Sequence, residues 1–325
     1  MIWKLLALPP LPEEALRGLL GSLDDRIDIT VPARRDRAAL LEALPEADIV
    51  VGDWSGMLAL DAEAVRHAPR LAFLQQPSVG VDGHDLDALA KAGVPVANTA
   101  GVNADAVAEW CLAAALALLR HLASSDREMR AGGWPQFTVQ RRELAGARVG
   151  VVGFGPVGAS CARKFGALGC QVSYWSRTAK QESYGAAYLD LDSLTASSDV
   201  LVLAVPLTDE TRGMFDAVRL SRMPAGAVLV NAARGGIVDQ DALIASLESG
   251  HLSGAALDVY DSEPPGADDP LRSCTNVLLS PHAAGATPQA TGRLLQAVLD
   301  NLAAAVGGRP VANVVNGVTP AIRRR

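Results

Sequence analysis

The feature that most constrains the fold is a glycine-rich turn near the middle of the chain. Gly153, Gly155 and Gly158 form the pattern G-x-G-x-x-G. The apolar residues 149–152 before the turn predict a buried strand, and the alanine-rich run after it predicts a helix. A strand that enters a helix through such a turn is typical of a doubly wound α/β sheet, so we expect parallel strands covered by helices.

The same turn predicts a binding site for a dinucleotide. Glycine permits the tight turn and lets the backbone approach a pyrophosphate, while the N-terminus of the following helix faces the phosphates. A pattern this short also occurs in ordinary α/β connections, but the strand before it and the helix after it favour the binding site. The residues expected to contact the dinucleotide are Gly153, Gly155, Pro156, Val157 and Gly158.

The alternation of apolar runs and helical patterns predicts two lobes. A chain of 325 residues is long for one core and suits two domains. We predict one strand series at residues 2–8, 27–31, 49–51, 71–74 and 94–97, and a second at 149–152, 171–175, 200–205, 227–231, 254–259 and 277–279. We expect two Rossmann-like or flavodoxin-like lobes with parallel sheets. A cofactor domain at residues 100–283 would be inserted in a substrate domain formed by residues 1–99 and 284–325.

A long apolar segment is predicted to form one helix from residue 104 to about residue 130. It is apolar around most of its circumference, which requires burial on more than one side. Either a subunit interface or a position between two domains of the same chain satisfies that requirement. Its most apolar part, residues 104–119, contains Asp105 and Glu109 and is shorter than the roughly 20 residues that span a bilayer. We therefore expect no membrane partner.

Charge and cysteine content narrow the possible partners. A net charge of −7 gives no basic field for nucleic acid. The four cysteines form no C-x-x-C pair and do not cluster with the five histidines, so neither a metal site nor a disulfide framework is expected. The apolar start of the chain is broken by Lys4 and followed by Pro9 and Pro10, unlike a signal peptide. These features favour the cytoplasm.

The end of the second strand of the cofactor lobe indicates which dinucleotide binds. An NAD site places Asp or Glu about 20 residues after the glycine turn, where the carboxylate binds the adenosine ribose. Here the sequence is Ser176-Arg177-Thr178, without a carboxylate. Hydroxyl groups and a guanidinium suit the 2′-phosphate of NADP, although an ordinary polar turn has the same composition. We expect NADP, with NAD as a second possibility.

Three further segments follow predicted strands and carry Arg234, Glu263 and His282. With these segments the chain resembles the D-isomer-specific 2-hydroxyacid dehydrogenases over essentially its whole length. The motifs that carry the resemblance are V-x-x-V-G-F-G-x-V-G at the turn, N-x-A-R-G at 231–235, D-V-x-x-x-E-P at 258–264 and S-P-H ahead of Gly285. Residues 78–82 and 98–109 are similar to the family as well.

The resemblance implies a catalytic set of Arg234, Glu263 and His282. Reduction of a 2-keto acid needs a proton donor at the carbonyl oxygen, and histidine is the side chain suited to donating and retaking that proton near neutral pH. A carboxylate partner stabilises the charged ring, and an arginine fork binds the substrate carboxylate and polarises its carbonyl.

The resemblance also implies further contacts with substrate and cofactor. The substrate would be bound by Val79, Gly80, Arg234 and His282, with the backbone amides of Val79 and Gly80 and the guanidinium of Arg234 on its carboxylate. Asp258 would lie near the nicotinamide carboxamide. The expected cofactor contacts beyond the turn and the Ser176–Thr178 segment are Val205, Pro206, Ala232, Ala233, Arg234, Asp258, His282 and Gly285.

The expected activity is hydride transfer between NADP(H) and a small 2-hydroxy or 2-keto acid. In lacking the cofactor carboxylate, the chain resembles the NADP-using glyoxylate and hydroxypyruvate reductases of this family. A dinucleotide-sensing protein like the transcriptional co-repressors of this family, and a dehydrogenase for another small oxyanion such as phosphite or a phosphonate, remain alternatives. We expect a homodimer. The loop with Trp134, Phe137 and Arg141 either reaches a neighbouring subunit's pocket or simply packs on its own chain.

Overall fold

The computed structural model describes residues 2–20 and 26–324. These residues fall into two compact units. The outer unit contains the chain up to Val102 and again from Pro288 onward, and the inner unit is Asn103–Thr287 between those two segments. The division lies a few residues after the predicted boundaries at 99 and 283.

The described part of the outer unit contains a five-stranded parallel sheet of order β2-β1-β3-β4-β5. The strands are β1 (Trp3–Ala7), β2 (Ile27–Thr30), β3 (Ile49–Val51), β4 (Phe73–Gln75) and β5 (Val96–Ala97). The helices are α1 (Glu13–Leu20), α2 (Arg37–Ala43), α3 (Ala62–Arg66) and α4 (Leu86–Lys91), and the last helix of the chain (Pro288–Val306) belongs to this unit. A 3₁₀ helix spans Leu44–Glu46.

Aspartates set the starts of three helices in the outer unit. The carboxylates of Asp36, Asp61 and Asp85 each accept a hydrogen bond from a backbone N–H in the first turn of α2, α3 and α4. Such N-caps satisfy donors that have no partner within the helix. Apolar side chains cover both faces of the sheet, as expected for a parallel sheet between helices.

The inner unit forms a seven-stranded parallel sheet of order β12-β11-β10-β9-β6-β7-β8. Its strands are β6 (Arg148–Val152), β7 (Gln171–Trp175), β8 (Ala187–Tyr188), β9 (Val200–Leu203), β10 (Ala227–Asn231), β11 (Leu252–Leu257) and β12 (Val277–Leu279). Strand order reverses between β6 and β9, so the glycine turn after β6 lies at the switch point where open α/β sheets bind ligands. The two-residue strand β8 was not predicted, because two residues show no alternation.

The remaining helices belong to the inner unit. They are α5 (Ala104–Leu119), α6 (Leu122–Arg130), α7 (Pro156–Ala167), α8 (Leu191–Ser197), α9 (Ala217–Arg222) and α10 (Gln240–Glu248), so the last helix of the chain (Pro288–Val306) is α11. Short 3₁₀ helices span Gly235–Ile237 and Pro270–Ser273.

The prediction of one continuous helix over residues 104–130 is wrong. Helix α5 ends at Leu119, His121 adopts a left-handed conformation with φ 54°, and α6 continues at an angle of 57°. The buried face of α5, including Cys111 and Ala115, packs on α7 and on strands β10 and β11 of the same unit. Its burial is therefore supplied within the inner unit.

Within residues 2–20 and 26–324, no single helix is long and apolar enough to cross a membrane, and only the bent pair α5 and α6, taken together, has that length and composition.

Candidate active site

The register of the inner sheet aligns the ends of six strands. Residues paired across neighbouring strands form one row, namely Trp175, Val152, Leu203, Asn231, Leu257 and Leu279. Each is the last residue of its strand. The loops that follow therefore start side by side at the carboxyl edge of the sheet. This edge receives the glycine turn and all three segments that carry the predicted catalytic residues.

The glycines of the turn differ in what surrounds them. A Cβ at Gly153, where φ is 98°, would lie 2.4 Å from the carbonyl oxygen of Ala204, and one at Gly158 would lie 2.0 Å from the carbonyl oxygen of Gly153. No heavy atom lies within 4 Å of a Cβ built on Gly155. Gly153 and Gly158 thus allow close packing, whereas Gly155 faces open space.

Helix α7 starts within this glycine pattern, with Pro156 as its first residue. Gly155 is its N-cap and offers no side chain to the first-turn N–H groups. Backbone donors at a helix N-terminus attract anions, aided by the helix dipole. Uncapped donors beside the open space at Gly155 fit the phosphates of a dinucleotide.

The predicted 2′-phosphate segment follows β7. Ser176 is buried, and its hydroxyl donates to the carbonyl oxygen of Thr178 at 2.7 Å. Arg177 and Thr178 are exposed. The hydroxyl of Ser176 therefore shapes the loop, and the guanidinium of Arg177 and the hydroxyl of Thr178 are the groups that face solvent.

The other predicted cofactor residues lie in loops along the carboxyl edge. Val205 and Ala233 are buried, Ala232 is half-buried and Pro206 is exposed. Gly285 has a packing reason of its own, because a Cβ there would lie 2.6 Å from Nδ2 of Asn103. No group of three or more His, Cys, Asp or Glu side chains suited to a metal ion occurs in residues 2–20 and 26–324.

His282 and Glu263 form a hydrogen-bonded pair. The distance from Nδ1 of His282 to Oε2 of Glu263 is 2.6 Å, and the second carboxylate oxygen accepts the backbone N–H of Tyr260 at 3.0 Å. The side chains are 51% and 36% exposed. Since Nδ1 faces a carboxylate, it carries a proton, and Nε2 is the ring nitrogen left to face a reactant.

Asp258 holds the backbone around His282. Its buried carboxylate accepts hydrogen bonds from the hydroxyl of Ser280 and from the backbone N–H groups of Ala283 and Ala284, the last two at 2.8 Å. The N–H of His282 donates to the carbonyl oxygen of Asp258 at 2.8 Å, and His282 has φ 52°. Non-glycine residues rarely adopt that conformation, and here the surrounding bonds maintain it. This positioning role was missed from the sequence, because spacing does not reveal which donors surround a carboxylate.

Arg234 lies between β10 and the 3₁₀ helix Gly235–Ile237. It is half-buried, and its Nη1 donates to the carbonyl oxygen of Ala233 at 2.6 Å. Next to it, a Cβ on Gly235 would lie 2.1 Å from the carbonyl carbon of Tyr260. The hydroxyl of Tyr260 donates to the carbonyl oxygen of Ser280 at 2.9 Å, and burial raises the pKa of this phenol. The segments of Arg234, Glu263 and His282 therefore pack against one another.

The predicted carboxylate-binding loop, Ser78-Val79-Gly80, follows β4 in the outer unit. Its three carbonyl oxygens accept hydrogen bonds from the N–H of Thr99 at 3.1 Å, Nδ2 of Asn98 at 2.7 Å and the hydroxyl of Ser78 at 2.9 Å. Over the part of the chain that the structure describes, the N–H groups of Val79 and Gly80 have no protein acceptor. A loop with its acceptors engaged and its donors open can bind an anion.

Comparisons with known proteins identify the family to which the chain belongs. Residues 112–284 match the family model described as "D-isomer specific 2-hydroxyacid dehydrogenase, NAD binding domain". A glyoxylate reductase of Thermococcus litoralis is 36% identical over 295 residues, which cover 88% of each chain. A D-3-phosphoglycerate dehydrogenase of Archaeoglobus fulgidus is 34% identical over 96% of this chain, which spans only 59% of that relative's length. The crystal structure of a glyoxylate reductase from Paecilomyes thermophila has a TM-score of 0.86 at 26% identity and covers 97% of both chains.

The chain belongs to the D-isomer-specific 2-hydroxyacid dehydrogenase family. It is an oxidoreductase of that family with an NAD-binding domain of Rossmann type. The predicted family and the predicted α/β fold with two parallel sheets are confirmed.

Proposed function

We propose that the protein is an NADPH-dependent reductase of small 2-keto acids, with glyoxylate or hydroxypyruvate as its first substrates. The observation that carries the proposal is the His282–Glu263 pair at the carboxyl edge of the inner sheet, with Nδ1 bonded to the carboxylate at 2.6 Å. The similarity to relatives named glyoxylate reductase supports this substrate class.

The proposed reaction assigns proton donation and substrate binding to different residues of the chain. When bound, the nicotinamide supplies or accepts the hydride. His282 donates the proton from Nε2 to the carbonyl oxygen of the keto acid, while Glu263 stabilises the positive charge on the ring. The guanidinium of Arg234 binds the substrate and stabilises the developing negative charge, and the N–H groups of Val79 and Gly80 bind the carboxylate.

The proton-transfer role has a direct test. NADPH oxidation is followed by absorbance with a panel of 2-keto acids, and His282→Ala is expected to lower kcat by about 10²- to 10⁴-fold, far more than it changes the Kd of NADPH. His251, which lies outside these segments, is the matched control as His251→Ala. Full activity of the His282 variant would contradict the assignment.

Assays with other substrates distinguish a keto acid reductase from a dehydrogenase for another small oxyanion. D-3-phosphoglycerate, phosphite and a phosphonate analogue are assayed in the direction of oxidation. Preference for one of these would move the substrate from a keto acid to that oxyanion. Binding of NADPH without turnover of any of them would favour a dinucleotide-sensing protein.

The preference for NADP is proposed from the end of β7. No carboxylate is present there to repel a 2′-phosphate, and the exposed Arg177 and Thr178 can bind one. Arg177→Ala is expected to reduce kcat/KM for NADPH by about 10- to 100-fold, because a hydrogen bond to a charged group contributes about 1.5–3 kcal/mol. The value for NADH should change little, and Lys180→Ala serves as control. An equal loss with both dinucleotides would contradict a 2′-phosphate contact.

We also propose a homodimer, but one that uses a surface other than α5. Exposed apolar side chains occur on α6 and the loop after it, where Trp134 is 72% and Phe137 is 88% exposed. Arg141 fixes the loop by donating to the carbonyl oxygens of Pro135 and Gln136 at 3.0 Å. Phe137→Ser is expected to shift the protein toward monomer in analytical ultracentrifugation, whereas Val218→Ser, at an exposed apolar residue on α9, should not. A wild type that sediments as a monomer would contradict the proposal.

The proposed location is the cytoplasm. All four cysteines are free thiols, which suits a reducing compartment. Cell fractionation followed by immunoblotting tests this assignment.

A further inference from the structure

We propose that Gln76 and His84 are positioning residues that hold the Ser78-Val79-Gly80 loop so that its N–H groups can bind the substrate carboxylate. The proposal rests on the proposed function, since it concerns how that carboxylate is held. Both residues belong to the outer unit, and neither is part of a sequence motif used above.

The hydrogen-bonded chain begins at the ring of His84. Its Nδ1 accepts the backbone N–H of Leu60 at 3.0 Å, so this nitrogen carries no proton. The ring proton is therefore on Nε2, which donates to Oε1 of Gln76 at 3.0 Å. Burial lowers the pKa of His84 to about 4, although the carboxylate of Asp53 acts in the opposite direction. The ring is thus neutral at the pH of an enzyme assay.

The orientation of the Gln76 amide determines the direction of the hydrogen bond made by the hydroxyl of Ser78. Its Nε2 donates to the hydroxyl oxygen of Ser78 at 2.8 Å and to the carbonyl oxygen of Asp53 at 3.2 Å. A carbonyl oxygen can only accept, so the amide cannot be reversed without losing this bond. The hydroxyl of Ser78 consequently donates to the carbonyl oxygen of Gly80, at 2.9 Å.

Hydrogen bonds to the carbonyl groups of the Ser78-Val79-Gly80 loop fix the orientation of its backbone. The carbonyl oxygen of Val81, the next residue, accepts the backbone N–H of His84 at 3.0 Å. Four consecutive carbonyl groups, those of residues 78–81, are therefore bonded within the outer unit. Because each peptide group is planar, the bonds to the carbonyls of Ser78 and Val79 fix the directions of the N–H groups of Val79 and Gly80. The bond from the hydroxyl of Ser78 to the carbonyl of Gly80 holds the next peptide group and closes the loop.

The packing around Gln76 leaves room for this arrangement. Gln76 is buried, and a Cβ on Gly52 would lie 2.0 Å from its Oε1 and 3.4 Å from Nε2 of His84. Any larger residue at position 52 would therefore displace the amide. A buried amide that loses its partners is destabilised by the desolvation of the unpaired group.

Electrostatic compensation next to the loop is consistent with binding an anion. The buried carboxylate of Asp53 is paired with Arg35, whose Nη2 lies 2.7 Å from Oδ2. It also accepts the N–H groups of Ser55 at 2.8 Å and Leu58 at 3.2 Å. The carboxylate of Asp53, whose charge acts on His84, is thus bonded to protein donors.

The test compares variants that interrupt the chain at different links. Gln76→Leu, His84→Leu and Ser78→Ala each remove the link to the carbonyl of Gly80 or the group that orients it. Each is expected to raise KM for the keto acid by about 10-fold, the effect of losing one or two hydrogen bonds, with kcat changed less than about 3-fold. His84→Gln, which keeps a donor near the position of Nε2, should restore much of the affinity.

Two measurements separate positioning from general damage. The Kd of NADPH should remain within about 2-fold of the wild type in every variant, because the glycine turn belongs to the inner unit. His67, an exposed histidine whose Nδ1 lies near the carbonyl oxygen of Glu63, provides the control His67→Leu with unchanged KM. An unchanged KM in Ser78→Ala and Gln76→Leu, or an equal fall in kcat in all variants, would overturn the proposal.

A binding experiment keeps this inference distinct from the proposed reaction. Oxalate is titrated into the full-length protein, and the amide resonances of Val79 and Gly80 are followed by NMR. These resonances should shift in the wild type, with an apparent Kd about 10-fold weaker in Ser78→Ala, whether or not any keto acid is reduced. If oxalate shifts them without turnover and binds about 10-fold more weakly to Ser78→Ala, the reductase assignment fails and the positioning role stands. Equal affinity in Ser78→Ala and the wild type would contradict the positioning role. If oxalate leaves both resonances unchanged in the wild type, the positioning role fails.

Discussion

Lowering the pH from 7.5 to 5 is expected to destabilise the outer unit through His84. The ring is held neutral in the folded protein, where burial lowers its pKa from 6.5 to about 4. Protonation would also remove the acceptor on Nδ1 and set the new N–H against the N–H of Leu60. The carboxylate of Asp53, itself paired with Arg35, is the charged group that opposes this shift.

The sign and size of the effect follow from proton linkage. A pKa depressed on folding means that the unfolded chain binds the proton more readily, so the stabilisation is complete above about pH 6.5 and is lost as the pH falls toward 4. With one pKa unit equal to about 1.4 kcal/mol, the full loss is about 3 kcal/mol, and about 2 kcal/mol of it falls between pH 7.5 and pH 5.

Native-state hydrogen exchange measures this loss in the intact chain. Opening free energies are obtained for peptides that cover β3 and β4, at both pH values, in the wild type and in His84→Gln. A glutamine side chain does not titrate, so the wild type should lose about 2 kcal/mol more than the variant. Peptides of β9 in the inner unit serve as the internal control. An identical pH response of the two proteins at β3 and β4 would refute the reasoning.

Two further predictions concern the inner unit. Gly153→Ala places a Cβ 2.4 Å from a carbonyl oxygen at a φ of 98°, so it should reduce the free energy of unfolding, measured by urea denaturation, by at least about 1–3 kcal/mol. Gly155→Ala places a Cβ with no heavy atom within 4 Å, so it should leave the free energy of unfolding unchanged but weaken NADPH binding about 10-fold. Normal NADPH affinity in Gly155→Ala would speak against phosphate contact at this turn. Asp258→Ala leaves two backbone N–H groups without their acceptor, so it should lower the unfolding free energy by about 1–3 kcal/mol and reduce kcat by releasing the segment of His282. The exposed neighbour Asp261 provides the control Asp261→Ala, and a variant at 258 with wild-type kcat would contradict the positioning role.

The bounds of several strands could be predicted from the sequence, because they depend on the local pattern of apolar and polar residues. Strands β3, β7, β10 and β12 start and end at the predicted residues, since each is a short apolar run bounded by polar or turn residues. The division of α5 from α6 was not predicted. No glycine or proline marks a helix end at residues 119–122, and the break is made by the left-handed backbone of His121.

Some residues of the candidate site could be predicted from the sequence, and others were found only in the structure. Arg234, Glu263 and His282 were identified as candidates because their motifs resemble those of the family, and each motif follows a predicted strand. Gln76 and His84 were not, because their importance lies in which atom donates to which, across eight residues of loop and turn. Residue type and spacing carry no information about that direction.

The engaged carbonyl groups of residues 78–81 have a consequence for how the specificity of such a protein can change. The proposed recognition of the substrate carboxylate at this loop uses backbone N–H groups, so we expect it not to vary with the side chain at position 79. Substitutions in other loops can alter the remainder of the substrate while the demand for an acid group persists. The loop would therefore keep the requirement for an acid group while other loops change which substrate side chain is accepted. A mutant library directed at new substrates should leave residues 76–84 unchanged.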